Sequence, residues 1–262
     1  MKNIFICTLA FVATVAAIGF DSNKPTASTS EKTGVAVGQF QPVAVLELFT
    51  SQGCSSCPSA DRLLARTINS AGKTGKNLFA LSFHVDYWNR LGWADPFSTK
   101  EYSDRQSEYA SQLNLNSVYT PQMIVNGSRE FTGSDERALE DALNRSLKTN
   151  TLAAFTTLSA NIENNAAPIV KFSLEGDYIN CRINLALVSL SETTAIKRGE
   201  NGGLTLTNEN IVRQFISVPA TTAGEISFKA DPLHPGNNTA IVAYIQNNSD
   251  MKIIGAAKAE IK

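Results

Sequence analysis

Histidine is nearly missing from this chain: two residues in 262, with only four cysteines beside them. Structural zinc sites take four ligands, drawn mainly from Cys and His, so a zinc domain here would need most of the available donors gathered in one place. An excess of positive charge is also lacking. Lys and Arg number 23 against 24 Asp and Glu, a formal net charge of -1, which leaves no global basic surface for nucleic acid or anionic lipid; no nucleic-acid partner is expected. The few cysteines exclude a disulfide framework. There is no internal repeat, and no low-complexity stretch beyond residue 42. What the chain does have is apolar content, 43% of its residues, enough to bury a sizeable core.

The first twenty residues, "MKNIFICTLAFVATVAAIGF", read as a secretory signal. Lys2 supplies the positive start, Ile4 to Ile18 the apolar stretch, and Ala13, Ala16 and Ala17 suit a peptidase. An uncleaved anchor is the alternative, since the run approaches the shortest membrane spans; no other membrane contact is expected. Cys7 lies within that apolar run. Residues 21–42, rich in Ser, Thr, Lys and Gly, read as a flexible leader. The protein is thus expected to be exported, periplasmic or secreted, where disulfides persist or are exchanged.

From Val43 the pattern becomes structured. "VAVLELFT" predicts a buried strand, and a helix follows from about Cys54 with Leu63, Leu64 and Ile68 as its stripe. Leu78 to Val85 is a second strand. Ser98 to Leu113 is a helix capped by Ser98, with Tyr102, Arg105 and Tyr109 among its polar positions. Met123–Val125 and Arg129–Phe131 flank Asn126-Gly127, a strong hairpin signal. A last helix, capped by Ser134, buries Leu139, Ala142, Leu143 and Leu147. After Asn150 helical signals fade and alternating strands take over. The expected fold is therefore an α/β domain over residues 43–150, followed by a smaller antiparallel β-sandwich-like domain over 151–262.

The chemistry concentrates in "TSQGCSSCPSADRLL". A Cys-x-x-Cys pair at a helix start places thiols where unpaired N–H groups and the helix dipole stabilise a thiolate. Cys54 is the expected nucleophile, and Cys57, one turn on, would resolve a mixed disulfide. An inert disulfide and a metal site, copper(I) on two thiolates in particular, stay open as alternatives. His84 and Asp86 share a strand face by period two; His84 could move protons at Cys57 or steady the Cys54 thiolate, or the two could form a strand-end pair with Asp86 in support. Trp88, Trp93, Tyr87 and Phe97 either line a substrate groove or make a satellite core. "KRGENGG" with Arg213 fits a solvated turn, or charges pairing across to the first domain. Cys181 fits a buried strand position, and His234 a loop.

Strand, Gly-Cys-x-x-Cys-Pro, helix, then Thr-Pro before a hairpin and a final helix resemble thioredoxin. That resemblance implies a cis-proline loop at Thr120-Pro121, with Pro121 beside the dithiol and Thr120 at the substrate. More closely, "LELFTSQGCSSCPSAD", "FHVDYWNRLGWADPF", "YTPQMIVNG" and "RGENGGLTLTNENIVR" resemble DUF1223, a family of exported, thioredoxin-like bacterial proteins whose activity is undefined. The expected activity is thiol–disulfide exchange on protein or small thiol substrates, without a cofactor and with an unknown redox partner. A copper or zinc carrier using the same thiolates is the alternative.

Overall fold

The computed structural model describes residues 40–162, 167–230 and 238–261. The expected signal, Cys7, most of the leader and His234 lie outside them. Strands β1 (Ala44–Thr50) and β2 (Leu78–His84) flank helix α1 (Cys57–Thr74); a short 3-10 turn (Asn89–Leu91) leads to helix α2 (Lys100–Gln112). The hairpin β3 (Gln122–Val125) and β4 (Arg129–Thr132) precedes helix α3 (Glu136–Ser146). Seven strands follow: β5 (Ala153–Asn161), β6 (Ile169–Gly176), β7 (Cys181–Ala195), β8 (Thr205–Pro219), β9 (Ala223–Ser227), β10 (Thr239–Asn247) and β11 (Ile253–Glu260).

These strands build one mixed eight-stranded sheet, in the order β11-β10-β7-β8-β2-β1-β3-β4, and a three-stranded sheet, β5-β6-β9. The expectation of a thioredoxin-like α/β domain followed by a separate β-sandwich is overturned here. Four of the late strands continue the first sheet, and the protein is mostly β. The join is β8 against β2, parallel, with Ser82 opposite Ile211. Side chains lengthen this short pairing: Ser82 Oγ donates to the Glu209 carbonyl at 2.8 Å, and Asn210 Nδ2 to the Ala80 carbonyl at 3.0 Å. An apolar strand such as β2 cannot leave its outer edge unpaired without exposing backbone groups, and β8 fills that edge.

Covering layers explain why β1 and β10 are buried on both faces. On one face Val45, Phe49, Leu81, Phe83, Val242 and Tyr244 pack with Tyr102 and Tyr109 of α2. On the other, Leu46, Leu48 and Ala80 meet α1 and α3 through Ala60, Leu63, Leu64 and Leu139. Further along that second face, Ile183, Leu185, Ile241 and Ile245 meet Val170 and Phe172 of the small sheet. Each fully buried Leu, Ile or Phe contributes roughly 1.5–3 kcal/mol. The described residues cluster as one compact unit.

Local expectations fare unevenly. The hairpin turns at Asn126 (φ 47°) and Gly127 (φ 65°), the left-handed pair that a two-residue turn requires. Helix α1 starts at Cys57 rather than Cys54. The caps are Thr99 and Asp135, each accepting a backbone N–H from three residues on, instead of Ser98 and Ser134.

Candidate functional site

The first strand ends at Thr50, and the chain turns tightly into α1. Cys54 N–H donates to the Ser51 carbonyl, and Cys57 N–H to the Cys54 carbonyl. Pro58 sits in the first turn of the helix, where a missing N–H costs nothing. Cys54 and Cys57 form a disulfide with their Cα atoms 5.4 Å apart. Both are fully buried, while Ser55 and Ser56 between them are exposed.

Under this turn lies a group of buried ionisable residues. Asp61, one helical turn beyond Cys57, accepts from Thr50 Oγ1 at 3.0 Å. Burial pushes its carboxyl up to about 6, against the opposing pull of His84 and the Thr50 hydroxyl. Thr50 and His84 are register partners on β1 and β2, so their side chains leave the sheet on the same side. His84 Nδ1 donates to Asp95 Oδ2 at 2.7 Å, both side chains being inaccessible. Burial disfavours the imidazolium, yet the Asp95 charge and hydrogen bond, with help from Asp61, hold His84 above its ordinary value. Asp95 is held low although burial opposes it. The His84 charge and hydrogen bond and the N–H groups of Gln52 and Phe97 favour its carboxylate. His84 Nε2 is buried without a protein partner.

Asp95 also ties this group to the dithiol loop, accepting the Gln52 N–H at 2.8 Å. The Gln52 side chain accepts from Trp93 Nε1 and donates to Asn208 Oδ1, both at 3.2 Å. From the tip of the β7–β8 hairpin, Asn201 Nδ2 donates to the carbonyls of Gln52 and Cys54 at 2.9 Å each. Glu200 Oε2 accepts the Ser55 N–H at 2.9 Å.

A family model described as "Protein of unknown function (DUF1223)" matches residues 45–246, spanning the dithiol, the aromatic loop and the hairpin. The chain belongs to this family. Among solved structures, this DUF1223 protein is similar to one from Agrobacterium tumefaciens, determined by X-ray crystallography. Identity is 27% with a TM-score of 0.62, over 84% of this chain and 95% of that one. A domain of the outer membrane lipoprotein Omp28 from Porphyromonas gingivalis is 11% identical with a TM-score of 0.28, over 43% of this chain and 89% of that one. That likeness is too slight to inform the fold. No curated protein matches.

Within this DUF1223 chain, Thr120-Pro121 is a cis peptide bond. Trp88 Nε1 donates to Thr120 Oγ1 at 2.7 Å. Pro121 lies close to the first turn of α1: a Cβ on Gly133 would crowd Leu48 Cδ1 at 2.7 Å, Pro121 at 3.1 Å and Ala60 at 3.2 Å. Trp88 borders the dithiol loop as well, 3.3 Å from where a Gly53 Cβ would stand. Cys54, Cys57, His84, Thr120, Pro121, Trp88 and Trp93 are thus brought to one end of the sheet. Asp86 is directed elsewhere, accepting from Ser103 Oγ at 2.6 Å. Phe97 lies edge-on to His84 and under the Arg213 guanidinium. Cys181 is buried on β7 in the core between the sheets. Sequence reasoning passed over Asp61, Asp95 and Gln52; Glu200 and Asn201 lie in the "KRGENGG" segment, for which a solvated turn and pairing across to the earlier part of the chain were both expected, and their hydrogen bonds do reach Ser55, Gln52 and Cys54. Only Asp61 carried a local signal, an acid on the same helical stripe as Cys57, Leu64 and Ile68.

Proposed function

We propose that the Cys54–Cys57 couple performs thiol–disulfide exchange in an exported protein, on protein or small thiol substrates. The observation that carries this reading is the disulfide at the N-terminus of α1 with the buried carboxyl of Asp61 one helical turn beyond it. An incoming thiolate attacks Cys54 Sγ, the Cys54–Cys57 bond breaks, and Cys57 leaves as a thiolate favoured by the helix N-terminus. A second thiolate then attacks the outer sulfur of the mixed disulfide and frees Cys54. In the reverse direction Cys57 must lose its proton to attack the mixed disulfide on Cys54, and we assign Asp61, four positions on along the same helix face with its carboxyl raised to about 6, to accept it. The His84–Asp95 pair sets the charge that Asp61 faces. Pro121, Thr120 and Trp88 form the wall on which a substrate would rest. Export is supported by the N-terminal sequence and by the disulfide; among the described residues no helix is long and apolar enough to cross a membrane. A copper or zinc carrier would use the same two sulfurs as thiolates, and here they are bonded to each other.

The test is equilibration of the Cys181→Ser protein across a glutathione series with thiol trapping. A reversible two-electron transition is expected; a pair locked as the disulfide at every poise, or thiols blocked by bound metal, would defeat the reading. In the same background, Asp61→Asn should slow resolution of the mixed disulfide by about 100-fold at neutral pH, measured by stopped-flow reoxidation.

A further inference from the structure

An exchange site must expose a sulfur, and here both sulfurs are inaccessible. What closes the site comes from far along the chain. The β7–β8 hairpin reaches back from the late part of the sheet, and its tip holds the dithiol turn by three hydrogen bonds, two from Asn201 to the carbonyls of Gln52 and Cys54 and one from Ser55 N–H to Glu200. The two residues differ in kind. Asn201 is buried at 3% exposure, whereas Glu200 lies at the surface with its carboxyl drawn below the ordinary value by the Ser55 hydrogen bonds.

The tip is also seated on the aromatic loop. A Cβ on Gly199 (φ 78°) would lie 3.2 Å from Trp93 Cβ and 3.6 Å from the Leu91 carbonyl. Trp93 in turn donates to the Gln52 side chain, so hairpin, aromatic loop and dithiol turn move as one assembly or separate together. The tip occupies the Cys54 carbonyl and the Ser55 N–H, so these backbone groups beside the sulfur are closed to any other chain. A polypeptide and the hairpin tip therefore compete for the same edge, while a small thiol needs only a brief opening.

We propose that the Arg198–Gly203 turn is the access-determining element of the dithiol site, with Glu200 and Asn201 as the latch that admits small thiols ahead of polypeptides. This rests on the exchange reading given above. Opening breaks the three hydrogen bonds from the tip and no covalent bond. Once open, reduction proceeds by attack of an external thiolate on Cys54 Sγ, and the external dithiol is oxidised as the protein disulfide takes up two electrons and two protons.

The experiment follows reduction of the oxidised full-length chain, in a Cys181→Ser background, by dithiothreitol and separately by an unstructured cysteine-containing peptide, with alkylation quench. Glu200→Ala, whose side chain is exposed, and the double variant Glu200→Ala/Asn201→Ala are compared with the parent after circular dichroism confirms that they fold. The double variant should be reduced at least tenfold faster by dithiothreitol, and the peptide rate should rise more steeply still. Glu200→Ala should also lose the slow hydrogen exchange of the Ser55 amide. Variants reduced at the parent's rate would overturn the latch and leave exchange standing. An equal rise with both probes would overturn the selectivity. If parent and variants all stay oxidised while the urea-unfolded chain is reduced, the exchange reading falls and the latch with it.

Discussion

Asp61 is costly at neutral pH. Its carboxyl, raised from 3.8 to about 6 chiefly by burial, binds a proton more tightly in the folded protein than in the unfolded chain. Between those values the folded state holds more protons, so stability falls as pH rises through about 4 to 6 and stays lower above. His84 acts in the same direction: its pKa is raised, so its contribution is complete below 6.5 and is lost as pH climbs through the folded value. Asp95 works the other way, its contribution being present above 3.8 and lost as pH falls through its depressed value. The thermal midpoint should therefore peak in the mildly acidic range. Asp61→Asn should flatten the slope between pH 4 and 6 and raise stability at pH 8 by about 3 kcal/mol, as read from denaturant melts at each pH. The dithiol was legible in the sequence because its spacing is a chemical signature. Asp95 was not, since nothing in "WADPF" announces that its carboxylate folds back onto a histidine eleven positions earlier.

Helix α2 shows where reading by residue type fails. Tyr102, Arg105 and Tyr109 were expected among its polar positions, yet all three are buried. They share one face, and the polar tips of Arg105 and Tyr109 are tolerated there because each finds a partner. Arg105 makes a bidentate pair with Glu47 at 3.0 and 2.8 Å, donates to the hydroxyls of Tyr109 and Tyr244, and lies over the rings of Phe83, Tyr109, Phe215 and Tyr244. Glu47, in the middle of "VAVLELFT", was the clue: a lone acid in a buried strand requires a cation opposite. Arg105→Met should destabilise the protein by about 3–5 kcal/mol by stranding Glu47. Adding Glu47→Leu should restore much of that loss, both values measured by urea unfolding. Turn chemistry, by contrast, was readable locally. Asn126-Gly127 names its own conformation, and β3 and β4 follow from it.

Across the whole molecule, alternating strands were expected after Asn150, β5 apart, but their partners were not. Alternation tells which face of a strand is apolar; it does not say whether that face meets a second sheet or a helix such as α2, nor which free edge the strand will join. The β2–β8 pairing rests on Ser82 and Asn210, whose roles exist only once the two strands are adjacent. Because one core runs from Phe49 and Tyr102 to Val242 and Tyr244, residues 43–150 expressed alone should show no cooperative unfolding transition. The full chain should melt in one step, with near- and far-ultraviolet circular dichroism coincident. Two separated transitions would contradict the shared core.

A chain that leaves the ribosome or crosses a membrane from its N-terminus presents Cys54 and Cys57 long before Asn201 has followed. The two thiols thus have an interval in which any oxidant can reach them, and that interval ends when the hairpin is delivered. If an oxidant is present during that interval, chain direction places oxidation before concealment, and a molecule that reaches its final shape with free thiols then needs the hairpin to open before they can be joined.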